Sequence, residues 1–292
     1  MNDFLLSPLL GVIEGLTEFL PVSSTAHLRI FEALAGVSLA DGFWKMFTIV
    51  IQLGAICCLP LYFRRRLSAF LASFAGAVRD GAWLTHPLVL TLVAFVCTVV
   101  PSLLLIKLIG KNLESLVVMA VALIAGGVVM WVVDALFARE RLGTHTERME
   151  QMGVGQAVWI GLCQNLAAVF PGVSRSMATI AAGQLAGMTR ASALEFSFFL
   201  SMPTMVAATG YDLFKTLRAG ASSPLGPVHM DAHGWILLLI GFVISFVVAY
   251  AVIAWFMSWV RSRGFVPFAV YRIAAGAAVL AWALGALGAA PR

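Results

Sequence analysis

The chain has 292 residues, of which 61% are hydrophobic and only 11% charged, and its mean hydropathy is +0.96. That balance excludes a soluble globular domain and points to an all-α integral membrane protein. The net charge of +5 does not indicate a nucleic-acid partner, because the basic residues cluster in short loops between apolar runs, as Arg64, Arg65 and Arg66 do. The N-terminus, Met1-Asn2-Asp3, lacks the basic n-region of a signal peptide, so the mature chain is expected to keep it. Cys57, Cys58, Cys97 and Cys163 all fall inside apolar runs and read as small buried hydrophobes.

In chain order, a first apolar segment covers residues 4–39 and is broken at Pro21-Val22-Ser23-Ser24. Three spans follow, at residues 43–63, 88–106 and 116–137. A second broken segment covers residues 154–188, interrupted at Pro171-Gly172-Val173-Ser174, and three more spans follow at residues 193–214, 235–260 and 266–287. Each span approaches the ~20 residues that cross a ~30 Å hydrocarbon core. Each broken segment reads as two half-helices around a kink. The expected fold is therefore six transmembrane helices plus two re-entrant broken-helix pairs.

Gly15-Leu16-Thr17-Glu18 resembles Gly161-Leu162-Cys163-Gln164, and each is followed by a proline, a pair of serines and a threonine. This marks an internal repeat, residues 1–152 and 153–292 of one membrane domain. Cytoplasmic loops are enriched in Lys and Arg. Here residues 64–79, 139–148 and 261–263 are the basic loops, whereas the connections near Lys107 and after Lys215 carry less charge. The spans alternate if both termini lie outside the cytoplasm and each broken pair enters and leaves on one side. The first pair then dips in from outside and the second from the cytoplasm. That makes the repeats inverted, an arrangement that places a site near the midplane.

Glu14 and Glu18 stand four apart, so on a helix their carboxylates project from one face and together can hold one divalent cation. Each charge at membrane depth costs about 2.5 to 3.5 kcal/mol on insertion scales, and Arg175 in the second break is a third, for a total of about 9 kcal/mol before pairing. Interfacial placement of the carboxylates is the plainer explanation. Against it, charges so placed usually pair around a wet, functional cavity. In the second break Ser174, Arg175, Ser176 and Thr179 stand at the start of a half-helix, where free N–H groups and partial positive charge suit an anion. The guanidinium matches phosphate oxygens two at a time. N-capping alone explains the serines but not a buried arginine. In the first break Ser23, Ser24 and Thr25 can cap the other half-helix, with His27 on its first turn. Spacing leaves His27 open between the base of a hydroxyl nucleophile and a hydrogen-bonded structural residue. Asp41, Lys45, Asp134, Tyr211 and Asp212 fall near span ends and read as snorkelling or anchoring groups. Glu195 and Gln52 are deeper candidates for lining the cavity.

EGLTEFLPVSSTAHL (residues 14–28) and PGVSRSMAT (residues 171–179) resemble the two signature motifs of the BacA-type undecaprenyl-diphosphatases of bacteria. The similarity runs the length of the chain, including FSFFLSMP at residues 196–203. The resemblance implies an inner-membrane hydrolase that removes the terminal phosphate of undecaprenyl diphosphate. It regenerates the monophosphate carrier for peptidoglycan synthesis and confers bacitracin tolerance. It also implies a homodimer and a site open to the periplasm. The family's acidic positions fall on Glu14 and Glu18, its serine on Ser24, its histidine on His27 and its phosphate-binding arginine on Arg175. Ser23, Thr25, Gln164, Ser174, Ser176 and Thr179 complete the candidate substrate-binding set. The two glutamates would hold Mg²⁺ or Ca²⁺. Ala26 and Met177 stand where the family commonly has glycine, and Met177 is expected to narrow the pocket beside Arg175. Ser24 is the favoured nucleophile, with His27 taking its proton; a phosphohistidine on His27 and direct attack by water at the metal are the alternatives. A lipid flippase or secondary transporter built on inverted repeats is the rival of another class.

Overall fold

The computed structural model describes residues 2–37, 41–105, 115–137, 146–219 and 231–288; the connection near Lys107, most of the basic loop at 139–148 and residues 220–230 lie outside them. Among the described residues the fold is all helical. The helices are α1 (Asp3–Thr17), α2 (Ser24–Leu34), α3 (Gly42–Tyr62), α4 (Arg64–Arg79), α5 (Pro87–Leu104), α6 (Leu116–Phe137), α7 (Val154–Val169), α8 (Arg175–Leu185), α9 (Arg190–Ala219), α10 (Ala232–Arg263) and α11 (Val266–Gly288). Six of them, α3, α5, α6, α9, α10 and α11, are long and apolar enough to cross a membrane.

Local chemistry fixes where these helices start. Asp41 accepts from Phe43 N–H at 2.8 Å, Asp231 from Gly234 N–H at 2.8 Å and Asn2 from Phe4 N–H at 3.0 Å, each satisfying a donor with no partner inside its helix. Thr189 Oγ1 accepts from Ser192 N–H and so starts α9 at Arg190, ahead of the expected residue 193. Residues 64–79, expected as a loop, form α4. Leu67, Phe70 and Phe74 recur at helical spacing there, and Phe70 packs edge-on against Phe199 with centroids 5.5 Å apart.

Small residues set the closest helix contacts, as is usual where lipid supplies no drive to associate. Gly11 and Gly15 form a G-x-x-x-G face on α1 that presses on α10. A methyl group at Gly11 would come within 2.8 Å of Gly241 O, and one at Gly15 within 2.8 Å of Ser245 O. Gly161 brings α7 against Ala94 of α5 in the same manner. Thus α1 lies on α10 as α7 lies on α5.

The α1–α2 hairpin begins beside the start of α10, where His233 Nε2 and Asp3 Oδ2 are 3.4 Å apart. The α7–α8 hairpin has its open end at the other end of the bundle. There Gln156 Nε2 on α7 donates to Ala186 O at 2.8 Å just past α8, and Thr146 N–H donates to Gly187 O at 2.9 Å. Beside it Asp134 is 1% exposed and accepts from Arg190 Nε at 2.7 Å, Arg190 Nη2 at 3.0 Å, Phe265 N–H at 3.0 Å and Gln184 Nε2 at 3.3 Å. The snorkelling expected for Asp134 is therefore corrected: it is a buried tie joining α6, α8, α9 and the α10–α11 turn. The tips of the two hairpins meet inside the bundle, where Ser176 Oγ donates to Leu20 O at 3.0 Å.

Candidate active site

Each hairpin tip turns on a serine in the left-handed region. Ser23 has φ +72° and Ser174 φ +71°, and they are the non-glycine residues with positive φ among those described. Such backbone is strained by about 1–3 kcal/mol for a residue with a Cβ and persists only where its surroundings enforce it. The enforcement is visible. Ser174 Oγ accepts from Met177 N–H, capping α8, and is 3.0 Å from Ser176 Oγ. His27 Nδ1 lies 2.8 Å from Ser23 O. A carbonyl only accepts, so Nδ1 carries the proton, and Tyr271 O–H can donate to Nε2 across 2.6 Å.

Arg272 of α11 holds both tips at once and is 0% exposed. It donates from Nη1 to Pro21 O at 2.9 Å, and from Nη2 to Gly172 O at 3.0 Å, Val173 O at 3.0 Å and Ala122 O at 3.2 Å. Neither Arg272 nor Tyr271 stood out in the sequence. Each lies in an apolar span without a motif around it, although the insertion cost that flags Arg175 applies equally to Arg272.

Between the tips lies a compact charged cluster. Glu18 Oε1 accepts from Arg175 Nη2 at 2.9 Å, and Glu18 Oε2 accepts from Ser24 Oγ at 2.6 Å. All three are largely buried, with Glu18 and Ser24 each 6% exposed and the Arg175 side chain 12%. Among the described residues Arg175 Nε and Nη1 have no hydrogen-bond partner, and the two carboxylate oxygens of Glu14, which is 0% exposed, meet no N–H or hydroxyl donor but lie beside the Glu18 carboxylate. Unpaired buried groups of this kind each cost about 1–3 kcal/mol, more when charged, so a site keeps them for something it binds. Donors on the arginine suit an anion and bare carboxylate oxygens suit a cation. Glu14 and Glu18 thus fit a divalent ion held by two carboxylates with the remaining positions left to substrate oxygens; among the described residues no third acidic, histidine or cysteine side chain joins them.

The other expected residues separate into layers. Thr179 is 0% exposed, donates to Arg175 O at 3.0 Å and lies 2.6 Å from Ser197 Oγ, so it fixes α8 against α9 behind the arginine. Thr25 is half-buried on the first turn of α2. Gln164 is not brought to the cluster: its Nε2 donates to Thr98 at 3.0 Å and Thr204 at 3.2 Å, in the seam of α5, α7 and α9. The expected Ser24–His27 hydrogen bond is not formed, since Ser24 is turned to Glu18 and both His27 nitrogens are engaged elsewhere. Met177 packs its methyl toward Gly126, beside the Arg272 guanidinium. Glu195 belongs to the bundle end and not to this cluster, accepting from Arg66 Nε at 2.7 Å. Gln52 is half-buried on α3 and joins none of these bonds.

Fold and site together define a polytopic helical membrane protein in which two inward helix tips bring an arginine, a serine and two carboxylates together. The family model of the bacitracin resistance protein BacA matches residues 7–278. An undecaprenyl-diphosphatase of Koribacter versatilis is 67% identical over 289 residues, 97% of this chain and 99% of the relative. That of Thermus thermophilus is 43% identical over 271 residues, 92% of this chain and 93% of the relative. The chain belongs to the BacA family.

Proposed function

We propose that the protein hydrolyses undecaprenyl diphosphate to undecaprenyl phosphate and inorganic phosphate, the activity named for its relatives. It thereby recycles the lipid carrier of cell-wall synthesis and lends resistance to bacitracin. The observation that carries this reading is the Ser24–Glu18–Arg175 chain of hydrogen bonds, with two arginine nitrogens left over for phosphate oxygens.

Ser24 Oγ attacks the terminal phosphorus, and its proton passes to Glu18 Oε2, the atom to which it already donates. The bond from that phosphorus to the bridging oxygen breaks, and undecaprenyl phosphate leaves. Water then hydrolyses the phosphoserine and inorganic phosphate is released. Arg175 Nε and Nη1 take up the charge that spreads over the phosphoryl oxygens. Ser24 begins α2 and Arg175 begins α8, so the positive ends of both short helices favour the same anion. His27 acts by holding the Ser23 carbonyl and so the orientation of Ser24. Glu14 and Glu18 would hold Mg²⁺ or Ca²⁺, and such an ion supplies neutralisation of phosphate oxygens. The prenyl tail remains in hydrocarbon.

Ser24→Ala is expected to lower phosphate release from detergent-purified protein about a thousandfold. Phosphate trapped on the wild-type enzyme should survive acid, as phosphoserine does and phosphohistidine does not. Near wild-type turnover of the alanine variant, or an acid-labile adduct, removes Ser24 from the role. A flippase or transporter without hydrolase activity would release no phosphate in micelles.

In the same reading the chain is a homodimer in the bacterial plasma membrane, with its site facing the periplasm and its α1–α2 and α7–α8 hairpins re-entrant parts of inverted repeats. Support for the inverted repeats comes from the matching α1–α10 and α7–α5 contacts and the paired positive-φ serines, and for the orientation from the arginines clustered at one bundle end. Reporter fusions should place both termini outside the cytoplasm and residues 64–79 inside. A cytoplasmic C-terminus would refute the inverted arrangement.

A further inference from the structure

A cavity of about 730 Å³ lies at the bundle end where α3 finishes and α9 begins, and none of Glu14, Glu18, Ser24 or Arg175 lines it. Its charged lining divides into two sets. Arg66 is fully committed: Nη1 donates to Glu150 Oε1 at 2.6 Å, Nε donates to Glu195 Oε1 at 2.7 Å, and the guanidinium lies 4.8 Å from the Phe70 ring centre. Burial pushes the Glu150 carboxyl up, but the hydrogen bond from Arg66, a backbone hydrogen bond and the charges of Arg66 and Arg148 together hold the group below its ordinary range. Arg64, Arg65 and Arg148 line the same cavity with Glu147, and none of the three arginines enters an ion pair among the described residues.

The remaining wall is apolar and comes from membrane-spanning helices. Leu61 of α3 and Tyr250 and Met257 of α10 line it, with Leu61 and Tyr250 exposed on the bundle surface. The adjoining α4 carries exposed Leu71, Phe74 and Val78 on one side, Arg64, Arg65 and Arg66 at its start and Arg79 at its end, the pattern of a helix lying in a membrane interface. The cavity therefore combines arginines at the bundle end with apolar residues of membrane-spanning helices.

We propose that this cavity binds the headgroup of an anionic glycerophospholipid of the adjoining leaflet, its phosphate among Arg64, Arg65 and Arg148 and its chains descending along Leu61, Tyr250 and Met257. Charge complementarity selects an anionic over a zwitterionic headgroup, because four arginines against three carboxylates leave the lining net positive and three of those arginines stand outside any ion pair among the described residues. The apolar wall selects a lipid over a soluble phosphate.

The test reconstitutes wild-type protein in phosphatidylcholine nanodiscs containing a minor fraction of phosphatidylglycerol, then weighs the retained lipids by native mass spectrometry. Wild type should retain phosphatidylglycerol about tenfold above its share of the bilayer. The triple variant Arg64→Gln, Arg65→Gln, Arg148→Gln should fall to the bilayer ratio while keeping wild-type phosphate release in neutral detergent, which shows that the catalytic cluster is intact. Glu147→Gln, which removes one carboxylate from the lining, should raise retention. The proposal is overturned if wild type shows no enrichment, if neither variant changes it, or if inorganic phosphate competes the lipid away, which would assign the cavity to a soluble anion.

Discussion

Glu18→Gln is expected to abolish turnover, lowering phosphate release by a thousandfold or more while the protein still inserts. The substitution keeps shape and removes charge at the point where three functions converge. Ser24 loses the acceptor that takes its proton across 2.6 Å, a contribution of about 10²–10⁴ in rate. Arg175 loses the carboxylate to which Nη2 donates at 2.9 Å and becomes a buried cation without its counter-charge, a change of about 3–5 kcal/mol. The carboxylate pair with Glu14 loses the member that can share a divalent ion. The measurement is phosphate release from detergent-purified variant against Mg²⁺ and Ca²⁺ concentration. Turnover within tenfold of wild type, with unchanged cation dependence, would make Glu18 structural. Glu18→Asp separates the charge from the reach: it keeps the anion but withdraws it from Ser24, so it should recover the thermal stability lost in the glutamine variant and little of the rate.

The spans and both breaks were legible because lipid leaves few choices. An apolar run of about twenty residues has one reading, and a proline followed by serines inside such a run has to be a helix interruption. Glu14, Glu18 and Arg175 were legible for the same reason, as charges where charge is expensive. Side-chain direction was not. Ser24 and His27 sit within one turn of each other, and spacing left open whether they pair. What turns His27 away is Tyr271, some 244 residues along the chain, together with the Ser23 carbonyl. Gln164 matches Glu18 in the repeat alignment, yet it serves the α5–α7–α9 seam, because its partners Thr98 and Thr204 come from other helices. Residues 64–79 read as a loop because three arginines open the segment, although Leu67, Phe70 and Phe74 already carried the helical period. Asp134 read as an interfacial group because only the folded chain delivers Arg190 and the Phe265 amide to it.

Arg272→Met should lose both stability and rate, and the two losses have separable causes. The guanidinium donates to four carbonyls, of Pro21, Ala122, Gly172 and Val173. Methionine fills the space and satisfies none of them. With each buried acceptor worth about 1–3 kcal/mol when left unpaired, a loss of about 4 kcal/mol is expected even after the gain from no longer burying a charge. The melting temperature in detergent should fall by about 10 °C. The rate falls for a different reason. Pro21 belongs to one hairpin tip and Gly172 and Val173 to the other, so Arg272 sets the spacing of Ser24 from Arg175 while touching neither. A misplacement of about 1 Å is enough for a loss of about 10²-fold. Arg272→Lys tells the two effects apart. It keeps the charge and can reach one tip but not both, so it should recover a large part of the melting temperature while kcat stays low and KM changes little. Recovery of kcat in step with stability would show that Arg272 is only a structural staple. A low kcat in a lysine variant of near-normal stability would show that it positions the two half-sites.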